Sequence, residues 1–169
     1  GGKIIMSNLC SEILQKQKPS IINNDQSFKE IGTDISCNLG SMNMLNLMKS
    51  PDLGKSIKTA MRALTFVTTN SNIDTVPTVQ KGNNENHTTG LGLMGLHSYF
   101  ATNQIEYGSL ESLEITSVIF SLMNYWSLVA SVEEAIKRNE TFVDFDKSKY
   151  ATGEYFEKYL NNDYAPKSE

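Results

Sequence analysis

Three side chains near the start of the sequence have types and spacing that suit one reaction: Asn8, Cys10 and Glu12, in the run Ser7-Asn-Leu-Cys-Ser-Glu12. In a tight loop such alternate residues can converge on one small space. A carboxylate beside a thiol raises the thiol pKa and disfavours thiolate. That is poor for a nucleophile, which needs a lowered pKa. It is acceptable for a thiol used as a source of a hydrogen atom, because the neutral S–H must persist until a radical takes it. Glu12 could then act as general base on a substrate hydroxyl. The amide of Asn8 could orient a second hydroxyl through its donor and acceptor ends. Taken alone N-x-C-x-E recurs by chance, and the plain alternative keeps Cys10 and the second cysteine, Cys37, as small buried hydrophobes.

The elements that must position these groups can be read in order. Residues 3–6 suit a strand end, 7–11 a loop tip, and the stretch to Ser27 a surface excursion punctuated by Lys18-Pro19-Ser20 and Asn23-Asn24-Asp25. Over 28–37 a loose alternation puts Ile31, Thr33, Ile35 and Cys37 on one face of a strand. Asn38-Leu39-Gly40 turns the chain, and Ser41 caps a helix through Met48 that Pro51 closes. A second helix over 53–69 carries the apolar stripe Ile57, Ala60, Met61, Leu64 and Val67. The connection 70–77 is polar, and 79–89 is irregular or only partly helical.

Residues 91–100 read as a short apolar helix entered through glycines. A long helix over 110–138 shows a wide apolar face of Leu113, Val118, Phe120, Leu122, Tyr125, Val129, Val132 and Ala135, which predicts burial. Asn139 stops it, 141–145 is extended or turned, and 153–160 is a last helix. The fold class is α/β, helix-rich, with one or two strands at the N-terminal end. Strands so few do not form a stable sheet alone and need partners from outside the chain.

Composition narrows the function classes. The chain has 169 residues, 39% of them hydrophobic and 20% charged, enough for one domain with a core. A net charge of −4 leaves no electrostatic footprint for nucleic acid. The longest apolar-rich stretch, 115–130, is broken by Thr116, Ser117, Ser121, Asn124 and Ser127, so no membrane span is expected. The start, Gly-Gly-Lys-Ile-Ile-Met, has no signal-peptide pattern, and a cytoplasmic location is the default. The lack of Met at position 1 and the loop-like end read as those of an internal piece, from a split gene, a splicing junction or truncation.

Other motifs carry less. Gly90-Leu-Gly-Leu-Met-Gly95 fits G-x-G-x-x-G, but a dinucleotide fingerprint needs a strand just before it and an acidic residue about twenty positions on. The run 83–89 reads as no strand, and Glu111 and Glu114 fall in a helix start. The glycines read instead as points of close helix approach. His87 and His97 lack metal-site spacing, and Met42, Met44 and Met48 fit packing. Tyr150, Tyr155, Tyr159 and Tyr164 read as packing and surface residues.

Ser7-Asn-Leu-Cys-Ser-Glu12 followed by Asp34-Ile-Ser-Cys-Asn-Leu-Gly-Ser41 resembles the finger loop and following strand of class I ribonucleotide reductase large subunits, within them the manganese/iron-dependent Ib subgroup. The similarity continues through Ala63-Leu-Thr, Pro77-Thr-Val, Asn84-Glu, His87, Gly90-Leu-Gly, Leu96-His97, Glu140-Thr-Phe and Tyr150-Ala-x-Gly-Glu-Tyr-Phe156, and covers nearly all of the chain. The resemblance implies a part of a ten-stranded α/β barrel with the finger loop threaded through it. Residues 1–40 would be the finger loop and following strand, and 41–169 the mainly helical part. It implies reduction of ribonucleoside diphosphates to deoxyribonucleoside diphosphates. Cys10 would be the thiyl-radical site, Glu12 the base on the 3′ hydroxyl, Asn8 a ribose contact, and Cys37 one of two redox-active thiols.

The implied partners are a radical-generating small subunit with a dinuclear manganese or iron centre and tyrosyl radical, and a thioredoxin- or glutaredoxin-like reductant. Nucleotide effectors would act on the full subunit, and complementary large-subunit fragments would complete it. No cofactor-binding or metal-ligating residue is expected in this chain, which alone would be inactive. An alternative from another class is a non-catalytic helical interaction domain with structural cysteines.

Overall fold

The computed structural model describes residues 4–7 and 14–160. In chain order its elements are β1 (Ile21–Ile22), β2 (Phe28–Glu30), β3 (Asn38–Asn43), α1 (Met44–Leu47), α2 (Leu53–Asn70), α3 (Pro77–Asn86), β4 (Thr89–Met94), α4 (Leu96–Thr102), α5 (Leu110–Arg138), a 3-10 turn (Phe145–Lys147) and α6 (Glu154–Leu160). β1 and β2 form a small antiparallel pair. β3 and β4 pair in parallel, Asn38 opposite Thr89 through Asn43 opposite Met94. A parallel pair requires a crossover, and α1, α2 and α3 supply it.

Local chemistry explains the helix ends. Asp52 Oδ1 accepts the Lys55 amide at 2.8 Å and caps α2. Pro77 occupies the first turn of α3, where its missing N–H costs nothing. Ser109 caps α5, Glu111 sits in its first turn and Lys137 and Arg138 in its last, each complementing the helix dipole. Asn139 ends α5 in the left-handed region, φ 53°, as the sequence predicts.

The core lies where α1, α2 and α5 meet under the β3–β4 pair. Met44, Leu47, Ile57, Ile119 and Met123 are buried there, with Leu91, Leu93 and Trp126 packed against them. Gly54 lets α5 approach α2: a Cβ on it would stand 2.5 Å from the Trp126 ring. Along the edge of that contact Lys58 and Arg62 of α2 reach Glu133 of α5 at 2.9 and 2.7 Å.

Several expectations are corrected. The main strand is not 28–37 but Asn38–Asn43, so Asn38-Leu39-Gly40 is strand rather than turn. Parallel pairing with β4 supplies the hydrogen bonds that the polar composition hides. Ser41 therefore lies in β3, and Asn43 caps the four-residue α1. Residues 4–6 are exposed and hold no strand. The stretch 91–100 divides into β4 and α4, while the polar 79–89 is helical as far as Asn86. On α2 the inward position is Thr68, and Val67 is exposed, because Thr68 has a buried hydrogen-bond partner.

The largest correction concerns α5. Its packed face is Ser112, Ile119, Met123 and Ala130. Leu113, Val118, Phe120, Leu122, Tyr125 and Val132, expected to be buried, are exposed within this chain. At 29 residues α5 is also long and apolar enough, by length and composition alone, to cross a membrane, contrary to the sequence expectation. One face of it packs on α2 through the core and the ion pairs just described.

Candidate active site

Asn8, Cys10 and Glu12 lie outside the described residues. The two arms that flank them are described, and both are tied down. Gln17 is buried, and its Oε1 accepts the backbone N–H of Ile5 at 3.1 Å and of Met6 at 2.9 Å. One side chain thus clasps the incoming arm to the outgoing arm. Gln15 donates from Nε2 to the carbonyl of Ser36 at 2.6 Å. The outgoing arm is thereby fixed to the residue that precedes Cys37.

Cys37 is half-buried and stands immediately before β3. The face expected for it survives in part: Thr33 and Ile35 are buried, Ile31 is half-buried and Asp34 is exposed. Ser36 is buried as well, because its hydroxyl has a partner in α3. Lys18 and Thr33 bridge the excursion back to this segment, with the Thr33 N–H donating to the Lys18 carbonyl at 2.8 Å.

The underside of the 34–38 segment rests on α3. The Asp34 N–H donates to the carbonyl of Thr78 at 3.0 Å. Gly82 meets the Asp34 carbonyl so closely that a Cβ would lie 1.9 Å from the oxygen. Asn83, fully buried, accepts from Ser36 Oγ at 3.0 Å and from Asn38 Nδ2 at 3.1 Å. Sequence reasoning missed Gln15, Gln17, Gly82 and Asn83. Three of them are amides in polar runs, and their signal lies only in long-range partners.

The other candidates resolve into structure. Gly90 and Gly92 lie inside β4, and a Cβ at Gly90 would stand 2.6 Å from Leu39 Cδ2 across the strand pair. The motif is therefore a strand packing against Leu39 and not a phosphate loop after a strand. His87 Nε2 lies 3.1 Å from Glu140 Oε1, and the His97 ring packs on Tyr107. Among the described residues no three His, Cys, Asp or Glu gather where they could hold a metal ion. Tyr155 donates to Asn124 Oδ1 at 2.7 Å, and Asn124 Nδ2 donates to Tyr159 Oη at 3.0 Å. Burial first, then the neighbouring phenols Tyr159 and Tyr150, push the Tyr155 hydroxyl up to about 12, so it stays protonated.

Comparison with known proteins agrees with this architecture. The family model described as "Ribonucleotide reductase, barrel domain" matches residues 1–169. The ribonucleoside-diphosphate reductase subunit alpha of Mycoplasma pneumoniae is 44% identical over 99% of this chain, and that of Bacillus subtilis 42% identical over 99%. This chain spans 24% of the length of each. The solved class Id ribonucleotide reductase alpha subunit of Actinobacillus ureae superposes with a TM-score of 0.56 at 25% identity, over 62% of this chain and 21% of that one. With a parallel strand pair crossed over by helices, and a family match from the first residue to the last, the chain belongs to the ribonucleotide reductase barrel-domain family.

Proposed function

We propose that this chain is a segment of the catalytic subunit of a ribonucleoside-diphosphate reductase, and that it carries the radical cysteine and one of two reducing thiols. Cys10, once oxidised to a thiyl radical, takes the 3′ hydrogen atom of the ribonucleotide. Glu12 accepts the 3′ hydroxyl proton, and Asn8 holds the ribose through its amide. The 2′ hydroxyl leaves as water. Cys37 and a second thiol from elsewhere in the subunit supply two electrons and two protons and close to a disulfide. The balance is one C–OH and two S–H in, one C–H, one water and one S–S out. The 3′ hydrogen returns from Cys10, which regenerates the radical.

The observation that carries this reading is the Gln15–Ser36 hydrogen bond. It fastens the arm leaving the Cys10 loop to the residue before Cys37, as a shared site for both sulfurs requires. In the sequence Glu12 follows Cys10 by two positions, and a carboxylate near a thiol disfavours thiolate, which would leave the neutral S–H that a hydrogen-atom donor needs. A thioredoxin- or glutaredoxin-like protein would reopen the disulfide by thiol exchange. The radical would come from a small subunit with a dinuclear manganese or iron centre and tyrosyl radical. Nucleotide effectors would act elsewhere on the subunit. The enzyme would work in the cytoplasm and supply deoxyribonucleotides for DNA replication. The alternative, a non-catalytic interaction domain, draws no support from the family match.

The test is Cys10→Ser in the complete catalytic subunit, assembled with its small subunit. Turnover falls to background while the circular dichroism spectrum is unchanged. Turnover retained in a folded Cys10→Ser enzyme removes the radical role.

A further inference from the structure

A buried carboxamide with all its polar atoms engaged is rigid, because each alternative position strands a donor or an acceptor. Asn83 of α3 is such a group. Its Oδ1 accepts from Ser36 Oγ at 3.0 Å, Asn38 Nδ2 at 3.1 Å and Thr68 Oγ1 at 2.8 Å. Its Nδ2 donates to the Thr68 carbonyl at 2.6 Å. Two of these partners, Ser36 and Asn38, are the chain neighbours of Cys37 on either side. The other two bonds anchor the amide to α2, so the grip on the Cys37 flanks is tied to the helical core.

We infer that Asn83 is a positioning residue for Cys37: by holding the residues before and after the thiol, it presets where the sulfur stands for disulfide closure. The inference rests on the proposed role of Cys37 as a redox thiol. A disulfide forms only over a narrow range, with Cα atoms roughly 4.4–6.8 Å apart. Fixing one side of the pair in advance therefore raises the effective concentration of one sulfur at the other. The rest of the platform works in the same sense. Asp34 is held by Thr78 and by the close approach at Gly82, and Asn38 Nδ2 also donates to the Thr88 carbonyl at 3.0 Å. The segment 34–38 is thus gripped ahead of and after the cysteine, and Asn83 is the side chain that spans it.

The test equilibrates the complete catalytic subunit with mixtures of reduced and oxidised dithiothreitol. One protein disulfide plus one dithiol gives two protein thiols plus one cyclic disulfide. The fraction of Cys37 in disulfide is read by alkylation and mass spectrometry. Asn83→Ala and Ser36→Ala each shift the equilibrium toward the dithiol, Asn83→Ala by about tenfold, which for a two-electron couple is roughly 30 mV. Thr68→Val removes one bond on the α2 side but keeps both flank bonds and the Nδ2 bond to the Thr68 carbonyl. It lowers the melting temperature and leaves the equilibrium within about twofold of the unaltered subunit.

If Asn83→Ala does not fold, Ser36→Ala decides the matter by itself. Folded flank variants that stay within twofold of the unaltered subunit overturn the inference while leaving Cys37 a redox thiol. Failure of the unaltered subunit to form any disulfide at Cys37 after turnover without reductant removes the redox reading itself, and the inference with it.

Discussion

Two regions that both pack on α2 reverse the usual rule of burial. On one side α3 buries a fully polar cluster, Asn83 with Ser36 and Thr68. On the other, α5 leaves Leu113, Val118, Phe120, Tyr125 and Val132 open. The first is stable because each polar atom has a partner within this segment. The second is left open by the described residues, and exposed apolar surface of this extent marks a face that packs against something else. The chain spans 24% of the length of its curated relatives, and under the proposed function the rest of the catalytic subunit would cover this face. Polar side chains here report the contacts the chain makes internally, and apolar ones report a face it leaves open.

The sharpest way to break that contrast is Asn83→Leu. The apolar isostere leaves the Ser36 hydroxyl, the Asn38 amide and the Thr68 hydroxyl without their acceptor, at about 1–3 kcal/mol for each group that finds no other partner. Native-state hydrogen exchange in the complete subunit should show α3 and the 34–38 segment opening more easily by about 3 kcal/mol. Opening energies unchanged within about 0.5 kcal/mol would mean the cluster contributes nothing to local stability.

A second test separates the two faces of α5. Ile119→Ala, on the packed face, should cost about 2–5 kcal/mol. Leu113→Gln, 60% exposed here, should change the stability of the isolated segment by less than about 0.5 kcal/mol. Equal costs for the two substitutions would erase the distinction between the faces.

The smallest effect is electrostatic. Asp144 sits between Lys147 and Lys16, and hydrogen bonds and charge from both hold its carboxyl down at about 2. A depressed carboxylate stabilises the fold above its ordinary value of 3.8 and loses that contribution as the pH falls toward about 2. The cluster is solvent-exposed, so the loss is slight and screened by salt. Asp144→Asn should flatten the acid limb of the stability curve between those two values and lower the curve slightly above them, where the ion pairs contribute.

The sequence was legible where a residue's meaning is local. The extents of α2 and α5 follow from spacing, and the stop at Asn139 from its tolerance of the left-handed region. It was illegible where a distant partner decides. Gly90 and Gly92 weaken a strand by propensity, yet β4 forms beside β3, where Leu39 fills the space a side chain at Gly90 would take and Ser41 Oγ would stand 3.1 Å from a Cβ at Gly92. Thr68 breaks an apolar stripe until Asn83 is placed beside it. The α5 stripe was assigned to the wrong face because a helix apolar on most sides carries no record of which side meets this segment and which meets another. At the site, Cys37 is expected inside a strand over 28–37 and lies instead immediately before β3, whereas Gln15, Gln17 and Asn83 carry no local mark of their roles.

The most direct test of the shared sulfur site is a single turnover by the complete enzyme with no external reductant. The deoxyribonucleotide formed and the disulfide containing Cys37 are both counted by mass spectrometry. One disulfide per product, with neither formed by the Cys10→Ser enzyme, is the predicted result. Product formed while Cys37 remains a thiol would contradict it.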